Sequence, residues 1–209
     1  MRTLAGAVAR RPAQHAVLAR AMLLAAACVL VAPATVSASG AATGERPAAV
    51  AAHIPGARLA GEGLLRWFGL RVYEARLWTG QRPQDPEALL GTGFALELRY
   101  ARTLEGRAIA AASRDEIARL GLGTPQQRAA WFEAMAGLFP DVAPGDRLTG
   151  VNLPGRGVRF YRDDRPLGGI DDPDFGPAFF SIWLHRDTAA PGLRQSLLGR
   201  SDTRGAGER

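Results

Sequence analysis

Residues 59–79 read LAGEGLLRWFGLRVYEARLWT, and this stretch decides the fold. In its second half Arg71, Tyr73, Ala75 and Leu77 alternate with Val72, Glu74, Arg76 and Trp78. A period of two sets one face of a strand against the other, so the stretch predicts two consecutive strands joined at Phe68-Gly69.

Downstream, FALELRYA (94–101) alternates again, with Phe94, Leu96, Leu98 and Tyr100 sharing the face to be buried and Glu97 and Arg99 opposite. The period then lengthens. From Glu105 to Leu120, Ile109, Ala112, Ile117 and Leu120 fall on one helical stripe that Gly121 ends. Thr124, Pro125 and Gln127 form a capping-box start for a second helix, with Trp131, Met135 and Leu138 inward and Pro140 as its stop. Arg147–Leu153 and Val158–Tyr161 read as a second hairpin turned by Pro154-Gly155-Arg156-Gly157, and a short strand follows around Pro166–Ile170. Asp172 and Pro173 are placed to open a helix that buries Phe175, Phe179, Ile182 and Trp183. A last helix near Thr188–Leu197 buries Leu193 and Leu197. Strands, helices, strands and helices in that order predict an α+β domain, an antiparallel sheet covered on one side by helices.

Several of these segments are motifs. The pattern L-x-G-x-G-L at Leu59–Leu64, the run from Arg71 to Trp78, G-D-R-L-T at 145–149, G-V-R-F-Y at 157–161, A-F-F-S-I-W-L at 178–184 and L-R-Q-S-L-L at 193–198 together resemble the chalcone isomerase-like proteins, in particular their bacterial exported branch. The resemblance implies that family's open-faced β-sandwich. It also implies one of three roles: a cyclising isomerase (an intramolecular lyase), a fatty-acid-binding protein, or an exported protein without an assigned reaction.

The ends of the chain have a different character. Arg2, Arg10, Arg11 and Arg20 precede an apolar run, Ala21–Val31, and no acidic residue occurs before Glu45, which reads as a secretory signal peptide with Val36-Ser37-Ala38 at the cleavage site. Residues 1–38 are therefore expected as signal, 39–56 as a flexible lead-in, 57–199 as the domain and 200–209 as a disordered tail, in a protein of the periplasm or secreted from the cell. Eleven apolar residues are short of the ~20 that span a bilayer, so no stable membrane anchor is expected after cleavage. Cys28, the single cysteine, leaves a lipid-attachment reading open. The net charge of +6 does not point to nucleic acid. All 26 basic residues are arginine; without the four in the signal, 22 face 20 acidic residues, for about +2, and they are scattered, not clustered.

Chemistry-bearing patterns are few. No phosphate loop, G-x-S-x-G elbow or His/Cys metal signature is present, His53 and His185 lie far apart, and the cluster Asp163, Asp164, Asp171, Asp172 and Asp174 lacks the spacing of a calcium loop. No cofactor, metal or catalytic residue is assigned. The candidates that remain are polar groups on apolar faces: Tyr73 and Tyr100, with Arg71 on the strand face of Tyr73, and with Arg66 and Arg76 as competing cations. An arginine beside two phenols in an apolar cleft would hold a fatty acid or phenolic carboxylate. The resemblance implies that the enzymes' catalytic arginine falls on Leu65 and their catalytic threonine on Tyr73, unless a bulge between Gly63 and Arg66 turns Arg66 inward. A non-catalytic binder of a small hydrophobic or amphipathic ligand is thus expected first, with an isomerase and a ligand-free interaction protein as alternatives. The oligomeric state is left open.

Overall fold

The computed structural model describes residues 45–80 and 86–199; the expected signal peptide, Cys28 and the expected tail lie outside them. Six strands, β1 (Arg58–Trp67), β2 (Leu70–Thr79), β3 (Phe94–Tyr100), β4 (Arg147–Leu153), β5 (Gly157–Arg162) and β6 (Arg165–Ile170), pair in chain order as an antiparallel meander. The helices that accompany them are α1 (Ala48–His53), α2 (Pro86–Leu89), α3 (Gly106–Arg119), α4 (Pro125–Leu138), α5 (Phe175–Leu184) and α6 (Pro191–Leu197).

The inward face of the sheet carries Ala75, Leu77, Phe94, Leu96, Leu98, Val158 and Phe160, and α3 to α6 close over it. Phe139, Phe160, Phe175, Phe179, Phe180 and Trp183 interlock there, mostly edge to face, with neighbouring centroids 5.0–6.3 Å apart in the pairs centred on Phe179 and Phe160. The capping box at α4 forms as read: the Gln127 amide N–H donates to Thr124 Oγ1 (3.1 Å), and the Thr124 N–H donates to Gln127 Oε1 (2.9 Å). The glycines of L-x-G-x-G-L have a packing reason. A Cβ on Gly61 would lie 2.1 Å from the Ser196 carbonyl oxygen and one on Gly63 2.7 Å from Leu193 Cδ1, so the two hydrogens let α6 rest directly on β1.

Three local expectations need correction. The lead-in is folded from Ala48 onward: Val50, Ile54 and Ala57 are buried with Trp78, Ala95 and Val151 in a second small cluster on the outer face of the sheet. The Ala-, Gly- and Pro-rich composition around it conceals this one apolar stripe. Asp172 does not cap α5, which starts at Phe175; its carboxylate accepts from the Asp174 N–H (2.9 Å) in a turn ahead of the helix and from Trp131 Nε1 (2.7 Å). The buried stripe of α3 is rotated to Ala110, Ser113, Glu116 and Ile117, leaving Ile109 and Ala112 half-buried.

Glu97 departs from its expected solvent exposure too, being only 3% exposed on the outer face between Arg76 and Thr149. Burial raises its pKa, with Arg147 and Arg76 (Nη1 3.9 Å away) opposing the shift. A folded-state pKa above the unfolded one means that ionised Glu97 disfavours folding at higher pH, and that this cost is lost as the pH falls through the folded value. Glu97→Gln is expected to raise Tm at pH 7–8, with the gain shrinking toward pH 4; a Tm series over that range checks it, and an equal gain at both ends would remove the charge from the explanation.

Candidate functional site

A cavity of about 110 Å³ lies between the inward face of the sheet and helices α3 and α5. Its walls are almost wholly apolar; the polar groups that reach it come from Tyr73, Tyr100, Ser113, Glu116 and Trp183. The size is somewhat below the ~150 Å³ of an engineered apolar cavity that admits benzene, so it matches one ring or a short acyl segment.

Tyr73 and Tyr100 face each other as Cα partners of β2 and β3, with ring centroids 5.8 Å apart at 72°. Tyr73 Oη accepts from Trp183 Nε1 (2.9 Å), which leaves its own O–H to donate. The Tyr100 hydroxyl has no hydrogen-bond partner among the described residues. Burial raises both pKa values; for Tyr73 the Trp183 bond opposes the rise and the Glu116 charge adds to it, and for Tyr100 the neighbouring Tyr73 adds. Both phenols therefore stay protonated far above neutral pH. They are donors.

The two arginines are elsewhere. After a first shift between Leu59 and Gly61, β1 and β2 keep register from Gly61↔Leu77 to Leu65↔Tyr73 and then step to Arg66↔Arg71, so Val72 is an extra residue in β2. A bulge interrupts the period of two, and Arg71, opposite Arg66, no longer shares the face of Tyr73. Both arginines are exposed at the hairpin end, where Arg66 Nη1 donates to the Gly69 carbonyl (3.4 Å). The register shift falls between Leu65 and Arg66 with its extra residue in β2, and Leu65, not Arg66, is the residue lining the cavity. Arg76 is held on the outer face by Glu62 (3.2 Å) and Glu74 (2.9 Å).

Sequence reasoning missed Glu116, which is 2% exposed at the cavity wall. Arg119, one turn along α3, pairs with it through Nε–Oε2 (2.9 Å) and Nη2–Oε1 (2.6 Å), and also donates to the Asp187 carbonyl (2.7 Å). The available signal was spacing, since Glu116 falls in the helical stripe with Ser113 and Leu120. The charge at the cavity is thus anionic, and its counter-cation is already engaged.

A second, larger groove of about 530 Å³ opens outside α4 and α5, lined by Gln127, Trp131, Asp174, His185 and Arg186 among others. Its polar groups serve local structure: Gln127 works in the capping box and donates to Asp174 Oδ2 (3.1 Å), and His185 Nδ1 accepts from the Asp187 N–H (3.0 Å). His53 pairs with the Tyr161 hydroxyl on the outer face. The acidic cluster is likewise dispersed into structural contacts, Asp171 with Arg159 (2.6 Å), Asp163 with Arg147 (3.4 Å) and Asp172 with Trp131. Among the described residues no group of three or more His, Cys, Asp or Glu is arranged to hold a metal.

Comparison with known proteins gives a consistent placement. The profile of the chalcone isomerase-like family matches residues 46–199. An uncharacterized protein of Haemophilus influenzae is 31% identical over 137 residues, which are 65% of this chain and 64% of that protein, so the chain spans a little under two thirds of that relative's length. The crystal structure of an Arabidopsis thaliana fatty-acid binding protein superposes with a TM-score of 0.54 at 14% identity, covering 69% of this chain and 87% of that one, which is a likeness of fold. With its meander sheet, its helical cover and a profile match across nearly all of the described domain, the chain belongs to the chalcone isomerase-like family.

Proposed function

We propose that this chain is an exported, non-catalytic binding protein whose cavity takes a small apolar ligand, an aromatic ring or short acyl chain, carrying one uncharged oxygen acceptor. The observation that supports this most is the pairing of two protonated phenols, Tyr73 and Tyr100, in a largely apolar cavity that no free cation lines among the described residues. Two O–H donors suit a carbonyl, ester or protonated acid. A carboxylate would enter beside Glu116, whose Arg119 is already engaged, with no free arginine among the described residues to meet it, so a fatty acid, the ligand of the Arabidopsis protein of similar fold, would bind here in its protonated form. The charge order and apolar run of residues 1–38 support export.

The isomerase reading loses its cation. Leu65 lines the cavity where the family resemblance puts the catalytic arginine, and lack of one preorganised donor costs about 10²- to 10³-fold in rate.

The test uses three probes of one shape: acetophenone, ethylbenzene and benzoate, titrated at pH 7. Acetophenone is expected to bind best and benzoate worst, and Tyr100→Phe to weaken acetophenone alone by roughly fivefold, about 1 kcal/mol for one neutral hydrogen bond. Equal affinity for all three probes, or an unchanged Tyr100→Phe variant, removes the phenols from the site. Closure of naringenin chalcone above the spontaneous rate would restore the isomerase.

A further inference from the structure

The β1–β2 turn presents side chains that a water-facing hairpin does not need. Among the described residues the large hydrophobics that stand exposed are Leu59 at 38%, Phe68 at 84% and Leu70 at 56%, so two of the three sit on this one turn, beside half-buried Trp67. Trp67 and Leu70 are cross-strand partners, and the Trp67 and Phe68 rings meet edge to face at 4.6 Å. Phe68 and Gly69 both have positive φ, 46° and 79°. A two-residue hairpin turn that follows the twist of its strands asks for this, but the residue it favours at the first place is Asn or Asp, not a bulky aromatic. Local turn chemistry is thus overridden in favour of an exposed ring. The next pair back from the turn is Arg66 and Arg71, both exposed and opposite each other.

We propose that this tip docks the protein on an anionic lipid surface, with Trp67, Phe68 and Leu70 entering the interfacial layer and Arg66 and Arg71 meeting the lipid phosphates. An aromatic and aliphatic tip with a collar of cations is the charge and polarity sequence of that interface. Arginine pairs phosphate oxygens through two parallel N–H donors, which fits the collar better than a single point charge would. The placement serves ligand capture as well: Leu65 and Tyr73, which line the cavity, are the register pair immediately inside the Arg66↔Arg71 pair.

The full chain has another apolar run at residues 21–31, so sedimentation with vesicles alone would not identify the tip. Tryptophan does. Of the four tryptophans, Trp78, Trp131 and Trp183 are buried at 2–6% exposure, which makes Trp67 the water-accessible emitter. Adding vesicles of mixed phosphatidylglycerol and phosphatidylcholine should blue-shift the emission and protect it from acrylamide, with much less effect from pure phosphatidylcholine or at high salt. Phe68→Asn should lower the Trp67-reported vesicle partition about tenfold, the worth of one buried phenyl ring, while raising Tm by about 2 °C because asparagine accepts the left-handed turn. Arg66→Gln with Arg71→Gln should abolish the preference for the anionic lipid and leave Tm unchanged. Trp67 remaining equally quenchable with and without vesicles, or Phe68→Asn partitioning like the parent, would overturn the proposal and leave the tip as a surface for protein contact.

Discussion

Gly61→Val is expected to cost about 3 kcal/mol or more of stability, although valine is the better strand former by up to ~1 kcal/mol. The loss comes from space: the new Cβ would stand 2.1 Å from the Ser196 carbonyl oxygen and 2.5 Å from that of Leu197. Both are backbone atoms of the α6 region, so no rotamer change relieves the clash and the helix must lift off β1. Lifting it exposes Leu193 and Leu197, which are 7% and 0% exposed. Gly137→Ala is the control, because an added Cβ there meets nothing within 4 Å, and helix propensity should make it stabilising by ~0.5–1 kcal/mol. Urea unfolding of the two variants checks both signs. A Gly61→Val protein as stable as the parent would mean that α6 is not seated on β1.

That contrast shows what could be read from the chain. The alternation of 71–78 and 94–100 and the capping box at Thr124 are local signals, and they placed β2, β3 and α4 to within a residue or so. The glycines of L-x-G-x-G-L were visible as a motif, yet their cause is a helix some 130 residues later, which no local pattern contains. The site divides in the same way. Tyr73 and Tyr100 follow from strand parity and do line the cavity, whereas Arg71 was misplaced because one inserted residue, Val72, reverses parity beyond it. A bulge leaves no mark in composition. Glu116 escaped for another reason, because a carboxylate on a helix reads as a solvated face until its burial and its pairing with Arg119 are known.

Arg119→Met is expected to destabilise the protein by about 3–5 kcal/mol, the usual result of removing one partner from a buried ion pair. The arginine itself is a quarter exposed, with a side-chain accessibility of 26%, and a surface pair would be worth under ~1 kcal/mol. Glu116 decides which case applies: its side chain is 2% exposed, it borders the apolar cavity, and beyond Arg119 it accepts from the Ala189 N–H at a long 3.4 Å. Without Arg119 the carboxylate keeps its burial and loses both short hydrogen bonds, so it must drag water inward or open α3 away from the sheet. Arg119 also holds the Asp187 carbonyl at 2.7 Å, so the segment leading to α6 should loosen with it. The double variant Glu116→Leu/Arg119→Met separates these contributions. Removing both charges should recover most of the loss, leaving a deficit near ~1 kcal/mol for the contact with Asp187. The same double variant tests the cavity, because with the carboxylate gone benzoate is no longer repelled and should close most of its gap to acetophenone. Equilibrium unfolding of the single and double variants, with probe titrations on the double, reads both effects. A single variant that loses less than ~1 kcal/mol would make the pair a surface contact, and an unmoved benzoate affinity would show that Glu116 does not set the charge preference of the cavity.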